Sequence, residues 1–155
     1  MERCAIDLDL ATPEDTAALG VAIGARLGVG DVLLLEGEIG AGKTHFARSL
    51  IQSLMDIPED VPSPTFTLVQ VYDSRIGEIW HSDLYRLSAP DEADELGLSD
   101  AFTSAICLVE WPDRLGDEVP QSALMLRFTD TGQGRHVTLR WRDRAWAARL
   151  EGLSS

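Results

Sequence analysis

The side chains with the most definite chemical potential are an ammonium and a hydroxyl placed side by side, Lys43 and Thr44, at the end of the run GEIGAGKT. Gly37 is followed by four residues and then by Gly42, Lys43 and Thr44, which is the spacing of a phosphate-binding loop. Gly37, Gly40 and Gly42 let the backbone turn its N–H groups inward around a phosphate. Lys43 can reach the β- and γ-phosphates of a nucleotide, and the Thr44 hydroxyl can ligate Mg²⁺. Hydrolysis or transfer needs two further groups, a partner for the metal and a residue that positions the attacking oxygen. Glu110 ends the apolar run ICLVE and suits the first role, opposite Thr44, directly or through water. Asp83, in HSDLYR, has two readings: it orients a water or a second metal contact, or its side chain caps the next turn. Thr65, in SPTF, also has two: a hydroxyl in a switch loop that senses the γ-phosphate, or part of a rigid Pro-bracketed turn. His45 reads as a surface residue of the following helix. Trp111 either packs over the nucleotide edge or fills the core, the default for an aromatic.

The elements that must hold these groups can be read from periodicity. Val32–Leu35 is apolar without helical period, as expected of a strand buried on both faces of a parallel sheet. Phe46, Ala47, Leu50, Ile51, Leu54 and Met55 recur at helical spacing, so the loop lies between a strand and a helix N-terminus, where orphan N–H groups favour an anion. Ala5–Leu10 alternates as a half-buried strand. Thr12 and Pro13 then cap and start a helix with an apolar stripe of Ala18, Val21, Ala22 and Ala25, ending near Gly28 and Gly30. Residues 56–66 form a Pro-rich loop. Phe66–Tyr72 and Ile76–Trp80 read as paired strands, after which HSDLYRL leaves the sheet. Helix signals follow at Pro90–Leu96, a second central strand at Ala105–Val109, a hairpin around DTGQGR and a short helix at Asp143–Leu150. This order predicts a three-layer α/β fold: a P-loop NTPase-like mixed parallel and antiparallel sheet with helices on both faces. Ligands of such sheets bind beyond the carboxyl ends of the central strands, which groups Lys43, Thr44, Asp83 and Glu110 at one edge.

Composition narrows the class. A length of 155 residues predicts one domain, residues 1–155, and 45% hydrophobic with 25% charged residues is ordinary for a soluble protein. The N-terminus has no apolar run suited to secretion and no stretch is long enough to span a bilayer, so the chain is expected to be cytoplasmic, with no membrane partner. Cys4 and Cys107 are too few for a disulfide framework, and His45, His81 and His136 have no metal-ligand spacing. The net charge of −13 repels free nucleic acid. Residues 135–155 carry five Arg against Asp143 and Glu151, leaving the acidic excess to the rest of the chain.

Taken together and in order, GEIGAGKT, SPTFTLVQVY, HSDLYRL, ELGLSD and LVEWPDRL resemble the TsaE family, also known as YjeE-type P-loop ATPases. The resemblance runs from the Thr12 region to about Arg140. It implies a small ATPase of bacterial tRNA modification that supports N6-threonylcarbamoyladenosine synthesis at position 37 of tRNA. Such proteins act on the TsaB–TsaD heterodimer, so tRNA would be met only indirectly. It further implies that Glu38, Ile39, Gly40, Ala41, Gly42, Lys43, Thr44 and His45 bind ATP, that Thr44 and Glu110 ligate Mg²⁺, and that Asp83 serves hydrolysis with Lys43. Thr65 would be switch-like, and Thr12 and Arg135 would be further nucleotide contacts. His45 stands where the family usually has a second Thr. Two other readings compete. A small-molecule P-loop kinase would need an Arg-bearing lid, and residues 111–122 offer Arg114 alone. A nucleotide-gated binding module without catalysis would have little use for Asp83 and Glu110.

Overall fold

The computed structural model describes residues 4–38, 42–62, 64, 67–87, 89 and 91–153. In chain order, β1 (Ala5–Leu10) leads into α1 (Pro13–Gly24), and β2 (Val32–Gly37) into α2 (Lys43–Ser53). β3 (Val69–Ser74) and β4 (Gly77–Asp83) form a hairpin, and α3 (Asp91–Glu95) and α4 (Leu98–Ser104) precede β5 (Ile106–Glu110). A 3₁₀ segment, Pro112–Glu118, is followed by β6 (Leu124–Asp130), β7 (Arg135–Trp141) and α5 (Ala145–Arg149). The described strands form one sheet in the order β1-β7-β6-β2-β5-β4-β3. β6, β2, β5 and β4 run parallel, and the outer pairs are antiparallel.

The missing period in Val32–Leu35 has a direct cause: both faces of β2 are covered. Leu33 and Leu35 pack with Phe46, Leu50 and Trp146 on the side of α1, α2 and α5. Val32 and Leu34 pack with Leu98, Ala101 and Leu115 on the opposite side. β5 divides in the same way, Ile106 and Leu108 to the first core and Cys107 and Val109 to the second. Each fully buried Leu or Val stabilises by about 1.5–3 kcal/mol, so a polar residue on either face would be costly. Helices on both faces of a mixed sheet make the three-layer α/β fold that the sequence predicts.

The local differences are instructive. α1 buries Thr16, Leu19, Gly20, Ile23 and Gly24 rather than the expected stripe of Ala18, Val21, Ala22 and Ala25, and Val21 is 48% exposed. Gly20 and Gly24 lie one turn apart and let α2 approach: a Cβ on Gly20 would stand 2.9 Å from the Phe46 carbonyl oxygen. Close approach, not bulk, selects that face. α1 also stops at Gly24, before Gly28 and Gly30, because the Gly28 N–H is taken by the Asp31 side chain at 2.7 Å, a local turn that competes with helix. The acidic segment holds two short helices instead of one, divided at Gly97 in the left-handed region (φ 87°). β3 begins at Val69, after Leu68 at φ 68°. β4 runs to Asp83 instead of stopping at Trp80, since its parallel pairing with β5 continues to Asp83 opposite Glu110. HSD therefore stays in the sheet, and the ends of β2, β4 and β5 share one edge.

Candidate functional site

The site is built on that edge. β2 ends at Gly37 and α2 begins at Lys43, with Gly42 as its N-cap in the left-handed region (φ 104°). The first turn of α2 thus carries Lys43 and Thr44 to the carboxyl ends of the parallel strands. β5 delivers Glu110 and β4 delivers Asp83, register partners in adjacent strands and both buried. These groups open on a cleft of about 800 Å³. Its other wall is made by Thr12, Pro13 and Thr16 from the start of α1, by His45, and by the 132–135 turn between β6 and β7.

Lys43 is almost wholly buried, 4% exposed. Its Nζ donates to the Gly37 carbonyl oxygen at 2.6 Å and lies 3.6 Å from the centre of the Trp111 ring. Burial pulls its pKa below the ordinary lysine value, while the charges of Glu110, Asp83, Asp113 and Glu36 act the other way. The ammonium is therefore desolvated, with carboxylates near enough to favour its charged form. Trp111 adopts left-handed backbone angles (φ 59°, ψ 55°), which a bulky residue takes only at a cost in strain. Pro112 behind it disfavours the ordinary helical conformation. The result turns the indole over Lys43 and against Tyr85, ring centroids 4.8 Å apart. Trp111 does not fill the core, as its default predicted; it lines the cleft.

The Thr44 hydroxyl donates to Glu110, 3.0 Å from Oε1 and 3.2 Å from Oε2. Neighbouring ligands on an octahedral Mg²⁺ with bonds of 2.0–2.1 Å lie about 2.9 Å apart, so this oxygen pair has the spacing to share that ion. Among the described residues no group of three or more His, Cys, Asp or Glu could hold a metal. Mg²⁺ takes one or two protein ligands and fills its shell with phosphate oxygens and water, a protein share that Thr44 and Glu110 could supply. Asp83 accepts from the Tyr85 N–H at 3.0 Å, the turn-capping bond expected of it, and also lines the cleft.

The family model described as "Threonylcarbamoyl adenosine biosynthesis protein TsaE" matches residues 10–137. The chain belongs to the TsaE family. It is 39% identical over 128 residues to the tRNA threonylcarbamoyladenosine biosynthesis protein TsaE of Bacillus subtilis, covering 81% of this chain and 79% of that protein. The protein of the same name from Treponema pallidum is 34% identical over 128 residues, 81% of this chain and 93% of its own. The crystal structure of Bacillus subtilis YdiB superposes with a TM-score of 0.82 at 30% identity, covering 99% of this chain and 95% of that one.

In this TsaE-family chain the expected site residues are distributed unevenly. Thr12, Gly42, Lys43, Thr44, His45, Asp83, Glu110 and Arg135 line the one cleft. Thr12 also caps α1, its Oγ1 accepting from the Asp15 N–H at 3.2 Å. His45 is not a plain surface residue: it is half-buried, with Nε2 3.0 Å from the Pro13 carbonyl oxygen, tying α2 to α1 across the cleft floor. Arg135 faces Asp130 at 3.4 Å. Glu38 is exposed and borders a smaller cavity of about 310 Å³ with Glu36, Asp113 and Arg127. Ile39, Gly40, Ala41 and Thr65 lie outside the described residues.

Two contributors were not anticipated. Tyr85 forms part of the cleft wall beside Trp111. His81 is completely buried, and its Nε2 lies 2.7 Å from Glu110 Oε2. The signal for His81 was the alternation in HSD: in a strand, His81 and Asp83 share a face. It was hidden by ending that strand at Trp80.

Proposed function

We propose that this chain is a Mg²⁺-dependent ATPase that serves N6-threonylcarbamoyladenosine modification of tRNA by acting on the TsaB–TsaD heterodimer. Family membership and the names of its relatives support the pathway. The observation that carries the catalytic part is the meeting of Lys43, Thr44, Asp83 and Glu110 at the mouth of β2, β4 and β5, inside a cleft large enough for a nucleotide.

In this reading the N-terminal turn of α2 and the Lys43 ammonium hold the β- and γ-phosphates. Thr44 and Glu110 would hold Mg²⁺, which when bound would supply positive charge against the phosphates. Asp83 orients the attacking water from the strand next to that of Glu110. The adenosine end extends toward Thr12, His45 and the 132–135 turn. Trp111 and Tyr85 shield Lys43 from water and so strengthen its contact with phosphate.

The net charge of −13 supports a protein partner over direct tRNA binding. The test is ATP turnover by the purified protein, alone and with TsaB–TsaD, together with threonylcarbamoyladenosine formed on a tRNA substrate. Slow Mg²⁺-dependent hydrolysis, raised by the heterodimer and lost in Asp83→Ala, is expected. A heterodimer whose output ignores both this chain and ATP would refute the proposal.

A further inference from the structure

We propose that His81 is a positioning residue: it fixes the rotation of the Glu110 carboxylate and thereby sets how tightly a divalent cation is held with the nucleotide. The inference rests on the Mg²⁺-nucleotide reading of the cleft and adds a residue to it. His81 has no solvent exposure, and Glu110 is 2% exposed. A carboxylate only accepts hydrogen bonds, so the ring nitrogen 2.7 Å from Glu110 Oε2 carries the hydrogen. The other ring nitrogen, Nδ1, is buried and has no hydrogen-bond partner among the described residues. Among the described residues, the single polar contact of this buried ring is therefore the one to Glu110.

His81 stands opposite Leu108 in the register and two residues after Ile79 on the same strand face, where burying an imidazole is unfavourable unless its polar contact serves something, and an apolar side chain would pack at less cost. What the contact does is geometric. Glu110 Oε2 is held by His81, which sets the carboxylate with Oε1 nearest the Thr44 hydroxyl, at 3.0 Å against 3.2 Å for Oε2. Without the Nε2–H donor the carboxylate can rotate about its last bond, and the 3.0 Å oxygen pair is no longer preset. Hydrogen-bond partners that orient metal ligands typically change metal affinity by roughly 10–100-fold when removed.

Gln and Met are close in length and shape, but only Gln offers an N–H donor near the position of Nε2. The comparison of His81→Gln with His81→Met therefore isolates the hydrogen bond. Binding of a non-hydrolysable fluorescent ATP analogue is measured in EDTA and across a Mg²⁺ titration, with thermal melting as the check on folding. His81→Met is expected to bind the analogue normally in EDTA and to need roughly tenfold or more Mg²⁺ for tight binding. His81→Gln should stay close to wild type. Wild-type Mg²⁺ dependence in His81→Met, or equal loss in both variants, would overturn the proposal. If His81→Met does not fold, ¹⁵N spectra of the wild-type ring decide: the Nε2 resonance of His81 should shift when Mg²⁺ is added to the nucleotide complex, and a resonance that does not move overturns the proposal. Wild-type binding indifferent to Mg²⁺ would instead remove the metal reading beneath it.

Discussion

Two histidines of this chain face carboxylates in opposite settings. His81 on β4 meets Glu110 on β5 at 2.7 Å, where both side chains are essentially closed to solvent (0% and 3% exposed). His136, on β7, as far from one edge of the sheet as β4 is from the other, lies between Asp9 at 2.9 Å and Asp7 at 3.0 Å on β1, with a third of its side chain exposed. The chemistry of the contacts is the same, but the competitor differs. Water can replace either aspartate at the outer edge, so those bonds add little net stability and tolerate rearrangement. The His81 ring has no exposure, so no water competes from its side and the contact fixes an orientation. Covered positions are thus where geometry is held, and solvent-facing ones are where it can yield.

Thiol chemistry should give the widest separation between the two regions. Cys4 is exposed beside β1, whereas Cys107 is buried in β5 and its pKa is pushed up to about 12 by that burial. A thiol-reactive probe at neutral pH should modify Cys4 promptly. Cys107 should react only as the chain unfolds, a protection set by a stability on the order of 5–15 kcal/mol. Rapid loss of both thiols in mass spectra of the native protein would break the contrast.

Backbone substitutions come next. Gly37 ends β2 at φ 139°, and a Cβ there would stand 2.5 Å from the Phe128 carbonyl oxygen. Gly132, in the turn before β7, has φ 85° and open space around it. Gly37→Ala should cost roughly 3 kcal/mol or more, from strain and clash together. Gly132→Ala should cost about 1–2 kcal/mol from backbone strain alone. Denaturant unfolding of the two variants measures both, and equal losses would show that the central strands yield as readily as the rim. Lys43→Ala should follow, losing ~1.5–3 kcal/mol of nucleotide affinity with its charge-assisted contact. His136→Ala should leave the dissociation constant alone, and calorimetric titration with an ATP analogue compares them.

Legibility in the sequence follows the same division. Strong local rules marked the central elements: the unbroken apolar runs of β2 and β5, the glycine and lysine spacing before α2, and the carboxylate closing β5. The buried face of α1 was misread because Gly20 and Gly24 serve by what they lack, and an apolar count ranks bulk. His81 was missed because its role depends on pairing with a strand nearly thirty residues away, and the end of β4 is set by that pairing rather than by its own residues. Trp111 needed the positive φ before Pro112 to turn toward Lys43, which no periodicity reveals. Long-range register, close helix approach and unusual backbone angles are tertiary facts, and they account for these misreadings.

The smallest expected effect lies at the outer edge and concerns pH. The His136 pKa is raised, chiefly by the hydrogen bonds to Asp9 and Asp7, and that of Asp7 is lowered, chiefly by Thr138 and then by His136. A group whose pKa is raised on folding stabilises the fold fully below its ordinary value, here 6.5, and loses that contribution as pH climbs through the raised value. A carboxylate whose pKa is lowered on folding contributes above its ordinary 3.8 and loses that contribution as pH falls through the lowered value. The cluster therefore contributes most between these limits and fades on the alkaline side. Melting temperatures measured from about pH 6 to about pH 9 at low salt should fall less in His136→Ala than in wild type, the difference being the share of His136. Raising the salt to about 1 M should shrink that difference, because the Debye length drops to about 3 Å and these groups are open to solvent. A difference that persists undiminished in high salt would mean that the edge cluster is as shielded as the covered pair, and the contrast between the two histidines would fail.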